Sequence, residues 1–490
     1  MGRTDLAIPR VILNFVDGVE QAAAGGECFT KLAPATGQAM SSVARSRAVD
    51  VEQAVDAARR AWPAWAATTP VHRGEILREI ALALRQHQDE LAHLVHTETG
   101  KSLKDARGET AGAVEMGFFV AGEGRRFYGR TTTSAVPNKT ALTVRQPLGI
   151  AGLIIAANTP IANVAWKVFP ALLCGNTAVL KPSEDAPASA WAFARLAATA
   201  GLPKGVLNLV HGYGEEAGAP LVQSPRVDVI SFTGSTSVGR WIQQTAGSRL
   251  AKVCLELGGK NPLVVCDDAD LELAANWVIL SAFSNAGQRC ASGSRIIVFE
   301  RIYEKFRDLL VERTKRLRVG CDDDDDFGPV INEQQLESML QAVATARRGG
   351  IKVLVGGHRL TGPGYDGFFM APTLLEGMHD DPVSQTELFG PISSLYRVPD
   401  FESALALAND SPYGLTAAIH TADVHRAMTF INRIRSGVAV VNGGTYGSEP
   451  HLPFGGLRAS GNGWREAGTE ALDVYSDWKT VYINHVPAAV

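Results

Sequence analysis

The chain has 490 residues, 46% of them hydrophobic and 20% charged, with a net charge of −4. That length exceeds the roughly 250 to 300 residues at which single cores stop growing, so two or three domains are expected, and the ordinary charge balance predicts neither nucleic acid nor a membrane surface as a partner. The start lacks the basic, apolar and small-residue pattern of a secretory leader, and no apolar run approaches the roughly 18 residues of a bilayer span, so a cytoplasmic protein is expected. Six cysteines (Cys28, Cys174, Cys254, Cys266, Cys290, Cys321) are scattered without Cys-x-x-Cys spacing. This argues against a disulfide framework and a structural zinc site, and no metal is expected.

Taken in chain order, Val51, Ala54, Val55 and Ala58 fall at helical spacing after Asp50, which reads as the N-cap with Gln53 three residues on. Apolar strand candidates at 150–157, 179–180, 206–210 and 227–232 then alternate with helix patterns, among them one at about 188–200 stopped by Gly201. Such alternation predicts a parallel sheet with crossover helices. A second series begins with NPLVV at Asn261, continues through a helical stretch at 270–285 and resumes with RIIVF at 295–299, which predicts a second α/β domain. The five consecutive aspartates at 322–326 read as a solvated loop, because neighbouring carboxylates repel and calcium loops space their ligands. Cys254 and Cys266 read as strand-borne core residues, Cys28 and Cys321 as incidental.

Two Gly-rich turns follow strands: VISF (229–232) runs into TGSTSVG, and VLNLV (206–210) into HGYGEEAG. Glycine permits positive φ and close backbone approach, and a helix N-terminus offers free N–H groups to a pyrophosphate. Neither run is a G-x-G-x-x-G, so ordinary turns fit as well as cofactor contacts. Lys181 and Glu184 in LKPSE (180–184) read by themselves first as a charged loop. Cys290 stands in GQRCASGSR (287–295), thirty-four residues after Glu256 in LELGGKNP (255–262). A thiolate adds to a carbonyl and a carboxylate activates water, although a lone Cys among small residues is also a common inert one.

Read together, FTGST (232–236), LELGGKNP, GQRC (287–290), ELFGP (387–391), SPYGLTAAI (411–419) and PFGGLRASGNGWREAG (453–468) stand in the order and spacing of the aldehyde dehydrogenase superfamily, which the chain resembles from about residue 10 to about residue 485. The resemblance implies an α/β fold with a Rossmann-type cofactor-binding domain (1–128 and 149–257), an α/β catalytic domain (258–470) and a small β bridging region (129–148 and 471–490). In the family the segment SDWKTVYIN (476–484) completes a sheet in a neighbouring subunit, so a homodimer or homotetramer is expected. The implied reaction is NAD(P)-dependent oxidation of a small-molecule aldehyde to the carboxylic acid through a cysteine thiohemiacetal and thioester. By position, Cys290 resembles the nucleophile and Glu256 the general base. Asn158, in AANTP, resembles the donor that joins the Cys290 backbone N–H in an oxyanion hole. Lys167 and Glu466 match a buried proton route, although such a pair is also a common structural ion pair. Lys181 and Glu184 match the ribose contacts, and Ile154, Ser183 and Leu257 further cofactor contacts. Phe232, Gly234, Ser235 and Val238, with Gly214, match the adenine and pyrophosphate turn, and Glu387 and Phe389 the nicotinamide side. A carboxylate at Glu184 repels a ribose 2′-phosphate, favouring NAD, while Lys181 beside it keeps NADP open.

Departures from the commoner family pattern bear on the substrate. Ala157 and Thr159 flank Asn158 where bulky aromatic residues are common, Asn163 follows, and Ser448, Glu449 and His451 lie in the loop TYGSEPHL (445–452). These predict a polar substrate, a semialdehyde or a sugar-derived aldehyde, unless the loop residues are only a solvated rim. LPKGVLNLV (202–210), GQRC and KNPLVVCDDADL (260–271) are also similar to members that oxidise oxo-acid semialdehydes, including α-ketoglutaric semialdehyde. A carboxylated substrate would call on an Arg, with Arg289 and Arg458 as candidates. An aromatic aldehyde is the rival, with Phe118, Phe119, Trp166, Phe283 and Phe454 as walls. A coenzyme A-acylating dehydrogenase would not need Glu256, a cysteine hydrolase would want a His base that no motif supplies, and a non-catalytic nucleotide-binding scaffold would need none of Cys290, Asn158 and Glu256.

Overall fold

A computed structural model describes residues 6–486. Within it α1 (Ala48–Ala67) starts two residues before Asp50, and Asp50 occupies the third helical position instead of the N-cap. Its carboxylate reaches back to the N–H groups of Arg47 (2.9 Å) and Ala24 (2.6 Å), so the acid still satisfies a free donor of the first turn. Helix α2 spans Leu103–Glu123, with Ser102 as its cap.

The first large sheet is built from β1 (Ile150–Ile154), β2 (Thr177–Lys181), β3 (Leu207–Leu209), β4 (Val229–Thr233) and β5 (Lys252–Glu256), all parallel, with α3 (Pro160–Leu173), α4 (Pro187–Thr199) and α5 (Thr236–Gly247) between them. Their spatial order is β5-β4-β1-β2-β3, extended beyond β3 by the antiparallel hairpin Asn14–Val16 and Val19–Gln21. The expected elements are present with shifted ends. β1 stops at Ile154 although the apolar run continues to Ala157, because the backbone leaves the sheet there and turns towards α3. The chain runs outward through β1, β2 and β3, then returns to place β4 on the other side of β1. Such a reversal of strand order opens a crevice at the carboxyl ends of the two diverging strands.

Between Glu256 and Asn261 the chain crosses to a second seven-stranded sheet. Its strands β6 (Asn261–Val265) and β7 (Gly293–Phe299) are central and parallel, flanked by Thr416–His420 and Val438–Val441 on one side and by Ile392–Val398, Thr373–Glu376 and the antiparallel Lys352–Val355 on the other. Helix α6 (Leu271–Phe283) begins at Asp270, whose carboxylate accepts the N–H groups of Glu272 and Leu273. It ends before 285 because Asn285 and Ala286 both take φ of 52°. Residues 322–326 form a loop in which Asp322, Asp323 and Asp324 are exposed and the Asp325 and Asp326 carboxylates accept backbone N–H groups. Cys254 and Cys266 are fully buried and Cys28 is exposed.

A separate three-stranded sheet pairs Ser476–Asn484 antiparallel with Lys139–Pro147 over nine positions, and the latter with Thr131–Thr132. The C-terminal strand therefore pairs within its own chain, and its outer edge carries exposed Trp478, Tyr482 and Ile483. Among the described residues, no helix is long and apolar enough to cross a membrane.

Candidate active site

Three loops at the meeting of the two sheets bring Asn158, Glu256 and Cys290 to one cavity of about 430 Å³. Glu256 is the last residue of β5. Asn158 lies in the connection from β1 to α3, and Cys290 in the turn before β7. That turn is shaped by Asn285, Ala286 and Gly287, all at positive φ. The Asn261 amide locks it by donating to the carbonyls of Cys290 (2.7 Å) and Ser292 (2.9 Å). Gly259 lets the strands' connection pass close by, since a Cβ there would stand 2.4 Å from the Cys290 carbonyl oxygen.

Residues that motif reading missed hold Asn158. Its carbonyl accepts from Lys101 Nζ at 2.6 Å and from Asn285 Nδ2 at 3.1 Å. The buried Lys101 is paired with Glu109 at 2.5 Å, and the other oxygen of Glu109 accepts the Ile161 and Ala162 N–H groups that open α3. In contrast, the Asn158 side-chain oxygen and both Glu256 carboxyl oxygens are buried without a hydrogen-bond partner. Such groups are costly in a finished core and ordinary where a ligand completes them.

Burial, and then repulsion from Glu466, hold the Glu256 carboxyl well above the usual carboxylate range, with Lys167 and Arg465 pulling the other way. Burial pushes the Cys290 thiol up to about 12, with Glu387 and Glu256 adding to it. The Cys290 thiol thus rests protonated at neutral pH, and burial raises the proton affinity of Glu256. Lys167, on α3 and fully buried, ion-pairs with Glu466 and donates to Ser231 Oγ at 2.9 Å, and Ser231 Oγ donates to the same Glu466 oxygen at 3.0 Å. Ser231, on β4, is a third member of this cluster that no motif announced. Glu466 borders the cavity and Lys167 stands behind it.

The resemblance-based cofactor residues converge on the crevice. Ile154, Lys181 and Phe232 stand side by side in register at the carboxyl ends of β1, β2 and β4. Lys181 Nζ lies 3.2 Å from Glu184, and Ser183 Oγ accepts the Asp185 N–H at 3.3 Å. Ser235 caps α5, its hydroxyl accepting the N–H of the exposed Val238. Gly234 sits under the Phe232 ring, where a Cβ would stand 2.4 Å from Cζ, and Leu257 packs against Gly239 in the same manner. Gly214 opens the helical turn Gly214–Gly218, at whose end a Cβ on Gly218 would come within 4.0 Å of the Lys181 stem. Glu387 accepts the Gly259 N–H at 2.9 Å, and burial lifts its carboxyl to about 7. Phe389, two residues on, takes φ of 53°. Parallel strand ends, a capped helix N-terminus, a bare glycine and a buried ammonium make a set of donors that fits a dinucleotide.

On the substrate side the expectations divide. Thr159, Asn163, Ser448 and Arg289 line the cavity. Glu449 and His451 do not; they are exposed and face each other at 3.7 Å. Arg458 is turned away, with its Nη1 on the Asn409 and Ser411 carbonyls. Of the five aromatic walls considered, Trp166 and Phe454 line the cavity, packed edge to face at 5.7 Å. Phe118 and Phe119 pack on the first core, and Phe283 stacks on Phe327 in the second. Arg289 is held by Asp105 at 2.8 Å and lies over the Tyr446 ring. Lys104, exposed and on the cavity wall, has no ion-pair partner among the described residues.

A profile of the aldehyde dehydrogenase family matches residues 21–481. The chain is 38% identical over 476 residues to the alpha-ketoglutaric semialdehyde dehydrogenase of Bacillus subtilis (strain 168), covering 96% of this chain and 98% of that one. It is 38% identical over 438 residues to the 2,5-dioxopentanoate dehydrogenase of Saccharolobus solfataricus, covering 88% and 91%. The crystal structure of betaine aldehyde dehydrogenase from Staphylococcus aureus in complex with NAD+ superposes with a TM-score of 0.95 at 32% identity, covering 98% of this chain and 96% of that one. The chain belongs to the aldehyde dehydrogenase family.

Proposed function

We propose that the protein oxidises a carboxylate-bearing semialdehyde to the corresponding acid with NAD, or NADP, as the hydride acceptor. The observation that carries the reading is one cavity lined by a thiol, a buried carboxyl with neither oxygen partnered and an amide whose buried oxygen has no partner. Once its proton has passed to solvent, Cys290 Sγ forms a bond to the carbonyl carbon, and the electron pair displaced onto oxygen is met by the Asn158 amide and the Cys290 backbone N–H. The nicotinamide, when bound, supplies the acceptor for the hydride of that carbon. Glu256 takes a proton from the water that adds to the acyl group left on Cys290, and the C–S bond then breaks to release the acid. A carboxyl lifted above its ordinary range is the stronger base for that step once ionised. The presence of Glu256 at the cavity favours water over coenzyme A as the acyl acceptor.

Residues 1–128 with 149–257 are assigned the cofactor, residues 258–470 the thiol. Two cations, Arg289 and Lys104, on a wall shared with Thr159, Asn163 and Ser448 support a carboxylated substrate, as do the names of the semialdehyde-oxidising relatives. The open edge of Ser476–Asn484, with its three exposed apolar side chains, supports a homodimer or homotetramer, which sedimentation analysis would resolve. The deciding experiment follows absorbance of reduced nicotinamide with NAD or NADP and a panel of alkanals, benzaldehydes, sugar aldehydes and carboxylated semialdehydes, with Cys290→Ala as control. The highest kcat/KM is expected for 2,5-dioxopentanoate, abolished in the variant. A highest value for a plain alkanal or a benzaldehyde would overturn the substrate assignment, and turnover retained in Cys290→Ala would overturn the chemistry.

A further inference from the structure

Helix α2 contains four glycines, Gly108, Gly112, Gly117 and Gly122. Glycine is the poorest helix-interior residue after proline, so each needs a reason. Gly117 has one in packing: a Cβ there would stand 2.8 Å from the Ala81 Cβ and 2.7 Å from Phe169 Cζ. Gly122 falls in the last turn. Gly108 and Gly112 have neither reason. Both are interior, both take ordinary helical φ, and a Cβ added to either meets no atom within 4 Å.

What they do share is the cavity. Gly108 and Gly112 line it together with Cys290 and Glu256, and at a spacing of four residues they face the same way, one turn apart. The wall is therefore bare backbone over a stretch of about 6 Å at 1.5 Å per residue. That this space is made for a ligand has an independent sign: Glu256, only 5% exposed and lining the same cavity, leaves both carboxyl oxygens without a protein partner. Lys104 lies one turn before Gly108 on the same face and also lines the cavity.

We propose that Gly108 and Gly112 are specificity-determining positions, where helix stability is given up to seat a substrate whose body beyond the reacting carbonyl is planar and oxygen-bearing, a 2-oxo acid head, with Lys104 beside it for the carboxylate. This rests on the reading of the cavity as the aldehyde site and adds which wall selects the substrate. A side chain at either position fills the seat. A broad planar substrate suffers more than a narrow unbranched one.

The test compares kcat/KM for 2,5-dioxopentanoate, benzaldehyde and hexanal in the wild type and in Gly108→Ala, Gly112→Ala, Gly108→Leu and Gly112→Leu, with apparent melting temperatures. The Leu variants are expected to lower the ratio of dioxopentanoate to hexanal, and of benzaldehyde to hexanal, by about tenfold, of the order found for small steric changes in a pocket. The Ala variants are expected to melt about 1–2 °C higher, since alanine replaces glycine in a helix with room for it. Unchanged ratios in folded Leu variants would overturn the proposal. So would a lower melting temperature in the Ala variants, which would make the glycines structural; this arm needs no turnover and stands if a Leu variant does not fold. If the wild type oxidises the neutral aldehydes and no carboxylated semialdehyde, the carboxylate reading falls, and the benzaldehyde-to-hexanal ratio still decides the role of the glycines.

Discussion

Lys101→Met tests whether the ion pair behind Asn158 holds the site together. Lys101 and Glu109 side chains are 1% and 4% exposed and 2.5 Å apart, so the substitution leaves a carboxylate buried without its cation. Breaking a buried pair in that manner costs about 3–5 kcal/mol. Glu109 keeps the N–H groups of Ile161 (2.9 Å) and Ala162 (3.3 Å) at the start of α3, where the helix end favours a negative charge, so the lower end, about 3 kcal/mol, is expected. At about 2–4 °C per kcal/mol for a unit of some 200 residues, the apparent melting temperature should fall by about 6–12 °C in differential scanning calorimetry. Adding Glu109→Gln removes the stranded charge, so the double variant should melt above Lys101→Met alone. The Asn158 carbonyl also loses its 2.6 Å donor, and kcat should fall while the dissociation constant for NAD stays level. A melting temperature within 2 °C of the wild type, or a double variant whose loss is the plain sum of the two single losses, would refute the argument.

Asn158→Ala should lower kcat by about 10²–10³, the effect of deleting one oxyanion donor, with little change in melting temperature, because the buried side-chain oxygen has no protein partner to lose. A stability loss with kcat retained would instead make Asn158 a capping residue of α3. The pH dependence of Cys290 modification follows from the direction of its shift. The thiolate is the reactive form and burial raises the thiol to about 12, so the rate of alkylation by iodoacetamide, read at Cys290 by mass spectrometry, should rise close to tenfold per pH unit from 6 to 9 without levelling. A plateau below pH 8 would show that the thiol ionises in its ordinary range.

The parts legible in the sequence are those written locally. Apolar runs of strand length separated by helical patterns marked both parallel sheets, and the motifs around residues 234, 256 and 290 fall at strand ends where the site assembles. The ends of elements were less legible: Asp50 reads as a cap because its side chain does cap, yet it does so from the third helical position. The supporting residues were not legible at all. Lys101 meets Asn158 across 57 positions, Asn285 across 127, and Ser231 meets Glu466 across 235, and no local pattern encodes such meetings. Side-chain direction in loops was equally hidden. Arg458 and Arg289 look alike as candidates for a carboxylate, but Arg458, at φ of 55°, lies on backbone carbonyls, and Lys104, unremarkable in its run, is the cation on the cavity wall without an ion-pair partner among the described residues.

The crossing from one sheet to the other explains why the chemistry sits where it does. Only four residues separate Glu256, the end of β5, from Asn261, the start of β6, and two of them are glycines. A Cβ at Gly258 would stand 2.1 Å from a Glu387 carboxyl oxygen, and one at Gly259 would stand 2.4 Å from the Cys290 carbonyl oxygen. From the other side Gly455, at φ of 155°, brings the 453–468 segment against Glu256, where a Cβ would lie 2.6 Å from Oε1. At each of these points bare backbone lies against an atom of the site. A side chain there would push apart the carboxyl that is to activate water and the thiol that is to carry the acyl group. The short glycine path thus sets how far the base stands from the nucleophile, and it also keeps Glu256 buried, which is what lifts the pKa of that carboxyl. The position of the base and its proton affinity have the same structural origin.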